Sequence, residues 1–324
     1  MAILGYKLRL NGGGLVDEVV DVGDVLTVDL IGLTPNTEYE VEVASYNLSR
    51  ELSDWSAVET ATTDPDYDDD AEAFFVAASI TDSTEKAAID AFVDSLKAAS
   101  IWTKMQAIYP CVGSSAAQHK FNLKDPRDLD AAFRLEFAGT ITHASTGMTG
   151  DGSTGEADTN YAGATSGANN NSHISVYVRS NSAAASMTEI SAYDAGSERS
   201  WAIACRSTFP SSGRCRFDNY NYIAASGADS IDFASTDARG FWINNRVSAG
   251  EFNAWKDGTK LGSGTTTSFT LPTGTLKLFT NGAAATFSDR EICFASIGVG
   301  LTDIEAGAFS TAVENLQAAL AREN

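Results

Sequence analysis

Two short stretches hold the side chains best suited to chemistry. The first is "FDNYNY", residues 217–222. Alternate residues of an extended chain share a face, so Asp218, Tyr220 and Tyr222 fall together, with Asn219 and Asn221 opposite. Sugars carry apolar patches ringed by hydroxyls, and an aromatic face beside planar polar groups suits both parts. These three are therefore the candidate carbohydrate-binding residues. The same tyrosines would also suit a sandwich interior or a subunit interface. The second stretch is "EADTNY", residues 156–161, which offers Glu156 and Asp158. Glycoside hydrolysis needs two carboxyl groups flanking the scissile bond, roughly 5–5.5 Å apart for retention.

Other reactive groups form no pattern. His119, His143 and His173 are scattered and give no metal-ligand cluster. Cys111, Cys205, Cys215 and Cys293 lack CxxC spacing, and buried free thiols are expected. Cys205 and Cys215 flank "RSTFPSSGR", a hairpin-like spacing, and are the pair that could form a cross-strand disulfide. Asp66, Asp68, Asp69 and Asp70 could recruit calcium, but the Gly and final Glu of an EF-hand loop are absent. The expectation is a solvated linker and no cofactor. "NGGGL" (11–15) is a glycine turn without the Lys-Ser/Thr of a phosphate cradle, and no G-x-S-x-G elbow occurs.

Charge narrows the partners. The net charge is −21 over 324 residues. Residues 1–72 carry 3 basic and 17 acidic side chains, hence −14, and the rest 19 and 26, hence −7. A nucleic-acid partner is not expected from such a chain. No apolar run is long enough to span a bilayer, so no membrane insertion is expected. "MAILGYKLRL" lacks the basic leader and apolar core of a signal peptide, so cytoplasmic synthesis is expected.

The elements that must position these groups are mostly short strands. Five alternating runs precede Asp64: "GYKLRL", "EVVDV", "LTVDL", "TEYEVEV" and "AVETATT". Residues 65–81 read as an acidic linker. Asp82 and Glu85 suggest a capping box for a helix carrying Ile89, Phe92, Val93 and Leu96, and a further turn ends before Pro110, placing helices near 82–109. From about 120 to 300, short alternating runs separated by Gly, Ser, Thr, Asn and Asp indicate a sandwich or barrel. Trp201, Trp242 and Trp255 sit in such runs and are expected in its core. Thr302 and Glu305 open a closing helix, near 302–321, with Phe309, Val313, Leu316 and Leu320 on one face.

The first part resembles the last strands of a fibronectin type III module. The likeness rests on "LTPNTEYEVEVASYN", where Tyr39 follows a Leu-x-Pro corner as in a tyrosine corner, and on "SDWSAVETATT". Such a module needs about seven strands, and its two opening strands are missing here. This implies a truncated sandwich over 1–64 whose Leu26, Val28 and Leu30 lie at an open edge for a partner strand.

The second part, 82–324, resembles a laminin G-like, concanavalin-like jelly roll. "ARGFWINNRVSAGEFNAWKDGTKLGSG" (238–264) is similar to its hairpins, with Asp257-Gly258 fit for a type I′ turn. "FASIGVGLTDIEAGAFSTAVENLQAAL" (294–320) is similar to the closing strand and helix of such domains in tailed-bacteriophage structural proteins, as is the "GDGSTGEADTNY" step (150–161). Retaining jelly-roll hydrolases place their carboxylates as E-x-D-x-x-E on one strand, but Tyr161 stands where the second Glu would be. The resemblance therefore implies no enzyme. It implies a virion decoration, fibre or tail component on the particle surface, a homo-oligomer among other virion proteins, in contact with host-surface polysaccharide; a dedicated carbohydrate-binding adhesin is the alternative. The expected fold is all-β throughout, with short flanking helices.

Overall fold

The structure is a computed structural model. It describes residues 2–182, 187–194, 196–197, 199–207, 213–222, 230–265, 270–282 and 286–323, apart from the side chains of 207 and 220–222. The chain divides into two compact units, Met1–Tyr67 and Asp68–Asn324.

The first unit is one antiparallel sheet. Its strands β1 (Ile3–Gly12), β2 (Leu15–Gly23), β3 (Glu38–Asn47) and β4 (Glu59–Thr62) lie in the order β2-β1-β3-β4. Register places Leu8 opposite Val20 and Val43, and Leu10 opposite Glu18 and Val41. Directly opposed residues share a face, so these side chains form one surface. The tyrosine corner forms: the Thr34 N–H donates to the Tyr39 hydroxyl at 2.9 Å. On the other face the Arg9 guanidinium pairs with Glu42 and lies 4.8 Å from the Trp55 ring centroid.

One expected strand is not there. Residues 26–30 are irregular, with Leu26 95% and Val28 45% exposed and Leu30 half-buried. At Gly23, φ +69°, the chain leaves the edge of β2, and residues 25–28 line a hollow with Tyr6, Leu8 and Val43. Alternation alone cannot make a strand without a neighbouring ladder to satisfy its backbone.

The second unit is a sandwich. Its early strands are β5 (Met105–Tyr109), β6 (Glu136–Ala138), β7 (Ile141–Ala144), β8 (Gly147–Gly150), β9 (Glu156–Ala162) and β10 (Ser172–Val178). Next come β11 (Ile190–Asp194), β12 (Arg199–Ser207), β13 (Arg214–Tyr222), β14 (Ser230–Ala234) and β15 (Gly240–Ser248). The last are β16 (Glu251–Lys256), β17 (Thr259–Gly264), β18 (Thr275–Leu278) and β19 (Glu291–Gly298). One sheet runs β17-β16-β15-β10-β19-β8-β7, with β5 also on β19, and the other β14-β13-β12-β11-β18-β9-β6. Val176, Trp242 and Ile297 from the first meet Trp201, Ile203, Phe217 and Leu276 from the second in a common core. Trp255 is buried as well.

The helices are α1 (Asp69–Ala78), α2 (Ser83–Ala98), the single turns α3 (Ala116–His119) and α4 (Gly163–Ser166), and α5 (Asp303–Ala319), and α2 and α5 pack on the outer face of the first sheet. Phe294 of β19 meets Phe92 of α2 at 5.6 Å and Phe309 of α5 at 6.1 Å, centroid to centroid. The Thr302–Glu305 capping box forms in full. At α2, Asp82 caps Thr84 and Glu85, but the Glu85 carboxylate accepts the Gly113 N–H instead of reaching back.

Three further expectations change. The supposed linker 65–81 contains α1, because Ala71, Phe74, Phe75 and Ala78 recur at helical spacing and are buried. Its aspartates serve the helix start, where negative charge is favoured. Asp68 is the N-cap, and the Lys97 ammonium lies 2.6 Å from both Asp68 and Asp70. Met105–Tyr109 is a strand rather than part of a helical pair, since β19 offers it a ladder from Ala295 to Gly298. In "AAFRLEF" (131–137) only the end is strand. Its first residues belong to a 3-10 turn, Asp130–Ala132, closed by Phe133 at φ +58°, and the ladder begins at Glu136.

Candidate functional site

A hairpin turn anchors the site. Asp257 and Gly258 join β16 to β17 with φ of +46° and +74°, the positive pair a type I′ turn requires. This aims the Asp257 carboxylate back along the sheet, where its Oδ1 accepts the Phe241 N–H at 2.6 Å, while the Asp257 N–H donates to the Phe241 carbonyl at 2.9 Å. Gly240 makes room. Its φ is +114°, and a β-carbon there would lie 2.5 Å from Asp257 Oδ1.

Helix α5 brings Glu314 to the same place, and the two carboxyl groups share a hydrogen bond. Burial first, then the adjacent Asp257 charge, push the Glu314 carboxyl up to about 7. Burial also raises Asp257, against the Phe241 N–H and Lys256, which favour its ionised form. The Tyr177 hydroxyl, on β10, lies 3.5 Å from Glu314 Oε2, and burial and Glu314 raise its pKa.

Cationic groups close the ring. Lys256 lies over the Trp242 ring, 4.6 Å from its centroid. Arg239 forks onto Asp237, with Nη2 2.8 Å from Oδ2, and holds that carboxyl at about 2. Together with Glu323 these residues line an open cleft of about 420 Å³, the size of a small-ligand pocket. It presents four carboxyl groups, a phenol and two cations to one space. That is a donor and acceptor set for a polyhydroxylated ligand.

The residues singled out in the sequence lie elsewhere. Asp218 is 6% exposed and receives a 2.6 Å hydrogen bond from Arg216 Nε, so it presents little surface to a sugar. The side chains of Tyr220 and Tyr222 lie outside the described residues; their backbone is in β13. Glu156 and Asp158 are tied to Lys277, 2.8 and 3.6 Å from its ammonium, and Tyr161 is buried with its hydroxyl on Gln106 at 2.6 Å. Leu26, Val28 and Leu30 belong to the first unit. Two of the three histidines do meet, His119 Nδ1 3.0 Å from His143 Nδ1, and burial holds His119 at about 4. Among the described residues no group of three or more His, Cys, Asp or Glu side chains is placed to hold a metal ion. The four cysteines are buried thiols. No described helix is long and apolar enough to cross a membrane.

The cleft residues escape sequence reading because they come from five separate places between Tyr177 and Glu323. The one local signal is Asp257-Gly258, which reads as a turn and not as a ligand-facing carboxylate.

No protein-family model matches the sequence, and no curated protein matches it. Solved structures do resemble it. Domain 4 of AbnA, an extracellular arabinanase of Geobacillus stearothermophilus in complex with arabinotriose, aligns at 14% identity and TM-score 0.44, over 64% of this chain and 98% of that one. The receptor-binding domain of a botulinum neurotoxin C/D mosaic aligns at 11% and 0.43, over 65% of this chain and 52% of that one. Trypanosoma rangeli sialidase aligns at 10% and 0.46, over 90% of this chain and 46% of that one. The chain thus spans about half the length of the toxin and sialidase chains. At such identities the likeness is one of β-sandwich architecture alone.

Proposed function

We propose that this chain is a non-enzymatic, surface-exposed protein of a bacteriophage particle, and that the Tyr177–Asp257–Glu314 cleft binds a host-surface saccharide. The observation that carries the binding role is the hydrogen-bonded Asp257–Glu314 pair at the mouth of a 420 Å³ cleft, flanked by Tyr177, Lys256 and Arg239. Each group can donate to or accept from a sugar hydroxyl. A non-catalytic role is supported by Glu156 and Asp158, the carboxyl pair the sequence offers for glycoside hydrolysis, which are both tied to Lys277.

The virion placement is supported by the order of pieces in the sequence: a leading helix, a "GDGSTGEADTNY" step, the Asp257-Gly258 hairpin, and a closing strand and helix. Oligomerisation with other virion proteins is part of the same proposal. Two measurements separate its halves. Mass spectrometry of purified phage particles should find the chain at structural copy number; its absence would remove the virion half. The full chain on a glycan array should bind one saccharide class saturably, and Glu314→Ala should lose that binding. Silence from folded protein would remove the other half.

A further inference from the structure

The first unit is short of a core. Among the described residues of the whole chain, sixteen large hydrophobics are exposed, and twelve of them lie between Ile3 and Val58. In the same stretch only Leu8, Leu10, Tyr39 and Ala44 are buried apolar residues. Surfaces this apolar on so few residues mark interaction sites. Their placement is not random. Residues 25–28 stand off the sheet to leave an open groove of about 340 Å³ lined by Tyr6, Leu8, Val25, Leu26, Val28 and Val43. Leu26 is 95% exposed beside it.

Charge says what fits there. Residues 1–67 carry 13 acidic and 3 basic side chains, a net −10. Asp24 and Asp29 flank the standing segment, and Glu18 and Glu59, opposite Leu10 and Val41 in register, add negative charge to the groove's own face. The β2 edge, "LVDEVVDVG", has three acidic residues and no basic one. Two copies meeting here would set these carboxylates against each other, and like charges across strands destabilise pairing. A second copy is therefore the wrong occupant.

We infer that this groove is a docking site for an extended segment of a different, basic chain, with apolar side chains entering between the sheet and residues 25–28 and Lys or Arg meeting the acidic rim. The occupant supplies the facing layer that a one-sheet unit lacks, by the logic of strand addition. This inference stands apart from the saccharide cleft, which lies in the other unit.

The test uses the full chain and three fluorescent peptides: Val alternating with Lys, Val alternating with Glu, and Gly alternating with Lys. Fluorescence anisotropy at low salt should show saturable binding of the Val–Lys peptide, at least about tenfold tighter than either control. Added salt should weaken it. Leu26→Asp, at a position too exposed to unfold the unit, should abolish it while circular dichroism stays unchanged. Equal binding of the Gly–Lys peptide would mean charge alone and overturn the inference. So would no binding of any peptide, or binding that survives Leu26→Asp. Sedimentation velocity covers the remaining case: a full chain that self-associates, and is made monomeric by Leu26→Asp, would make the occupant a second copy and overturn it too.

Discussion

Asp257 and Glu314, one in a two-residue hairpin turn and the other on the C-terminal helix, share a hydrogen bond 57 residues apart in sequence. The turn fixes one carboxyl and the helix delivers the other. A pH-dependent stability of the second unit is expected from this pair.

The direction follows from the raised Glu314 pKa. Its ordinary value is 4.5 and in the folded chain it is about 7, so the native state holds a proton that the unfolded state releases in between. The resulting stabilisation is full below pH 4.5 and is lost as pH rises through about 7. Thermal melts of the wild type and Glu314→Gln should therefore diverge with pH. The wild type should lose stability relative to the variant between about pH 5 and 8. Parallel curves would mean the proton is not held there. Because Glu314 is only half-buried, solvent screening keeps the effect small.

Gly240 is a backbone requirement of the same site. Replacing it with Ala adds a β-carbon at φ +114° and 2.5 Å from Asp257 Oδ1. A cost of about 1–3 kcal/mol is expected from this strain. Gly250→Ala meets nothing within 4 Å and should stay within about 0.5 kcal/mol of wild type. Urea denaturation compares the two, and equal effects would show that the Gly240 backbone can relax.

Deep in the sandwich, Glu189 and Arg290 form a fully buried ion pair, and Glu189 Oε2 also accepts the Cys205 N–H at 2.6 Å. Glu189→Ala strands a buried guanidinium and should cost about 3–5 kcal/mol. Adding Arg290→Met should recover part of that loss. A double-mutant cycle in chemical denaturation gives the answer, and additive losses would contradict coupling between the two.

In the first unit, Tyr39→Phe removes the acceptor of the Thr34 N–H. Amide hydrogen exchange at Thr34 should accelerate, with about 0.5–1.5 kcal/mol lost locally. Unchanged exchange would mean that the corner is held by packing of the ring alone.

Elements are legible in this sequence where local chemistry determines local structure. The Thr302–Glu305 box, the Asp82 cap, the Asp257-Gly258 turn and the Tyr39 corner each need only a few neighbouring residues, and each forms. Legibility ends where the outcome depends on a distant partner. "LTVDL" alternates like a strand but has no ladder to join, and "IYP" near 109 reads as a helical turn although β19 draws it into a sheet. The Asp-rich stretch before Ala71 reads as solvent-exposed linker, although Phe74 and Phe75 carry a helix signal behind it. The cleft is illegible for the same reason. Tyr177, Asp257 and Glu314 have no shared period, and only the sandwich and its covering helix bring them together.

Isothermal titration calorimetry decides whether the Tyr177–Asp257–Glu314 cleft binds a saccharide. The titrant is the best saccharide from the array, run against wild type, Asp257→Asn and Asp218→Asn. Asp257→Asn keeps an oxygen for the Phe241 N–H and tolerates the turn's positive φ, so it should fold while losing the charged acceptor. The expected result is saturable binding by wild type and Asp218→Asn, weakened at least about tenfold in Asp257→Asn. Undiminished binding by folded Asp257→Asn would contradict the account and move the site elsewhere on the jelly roll.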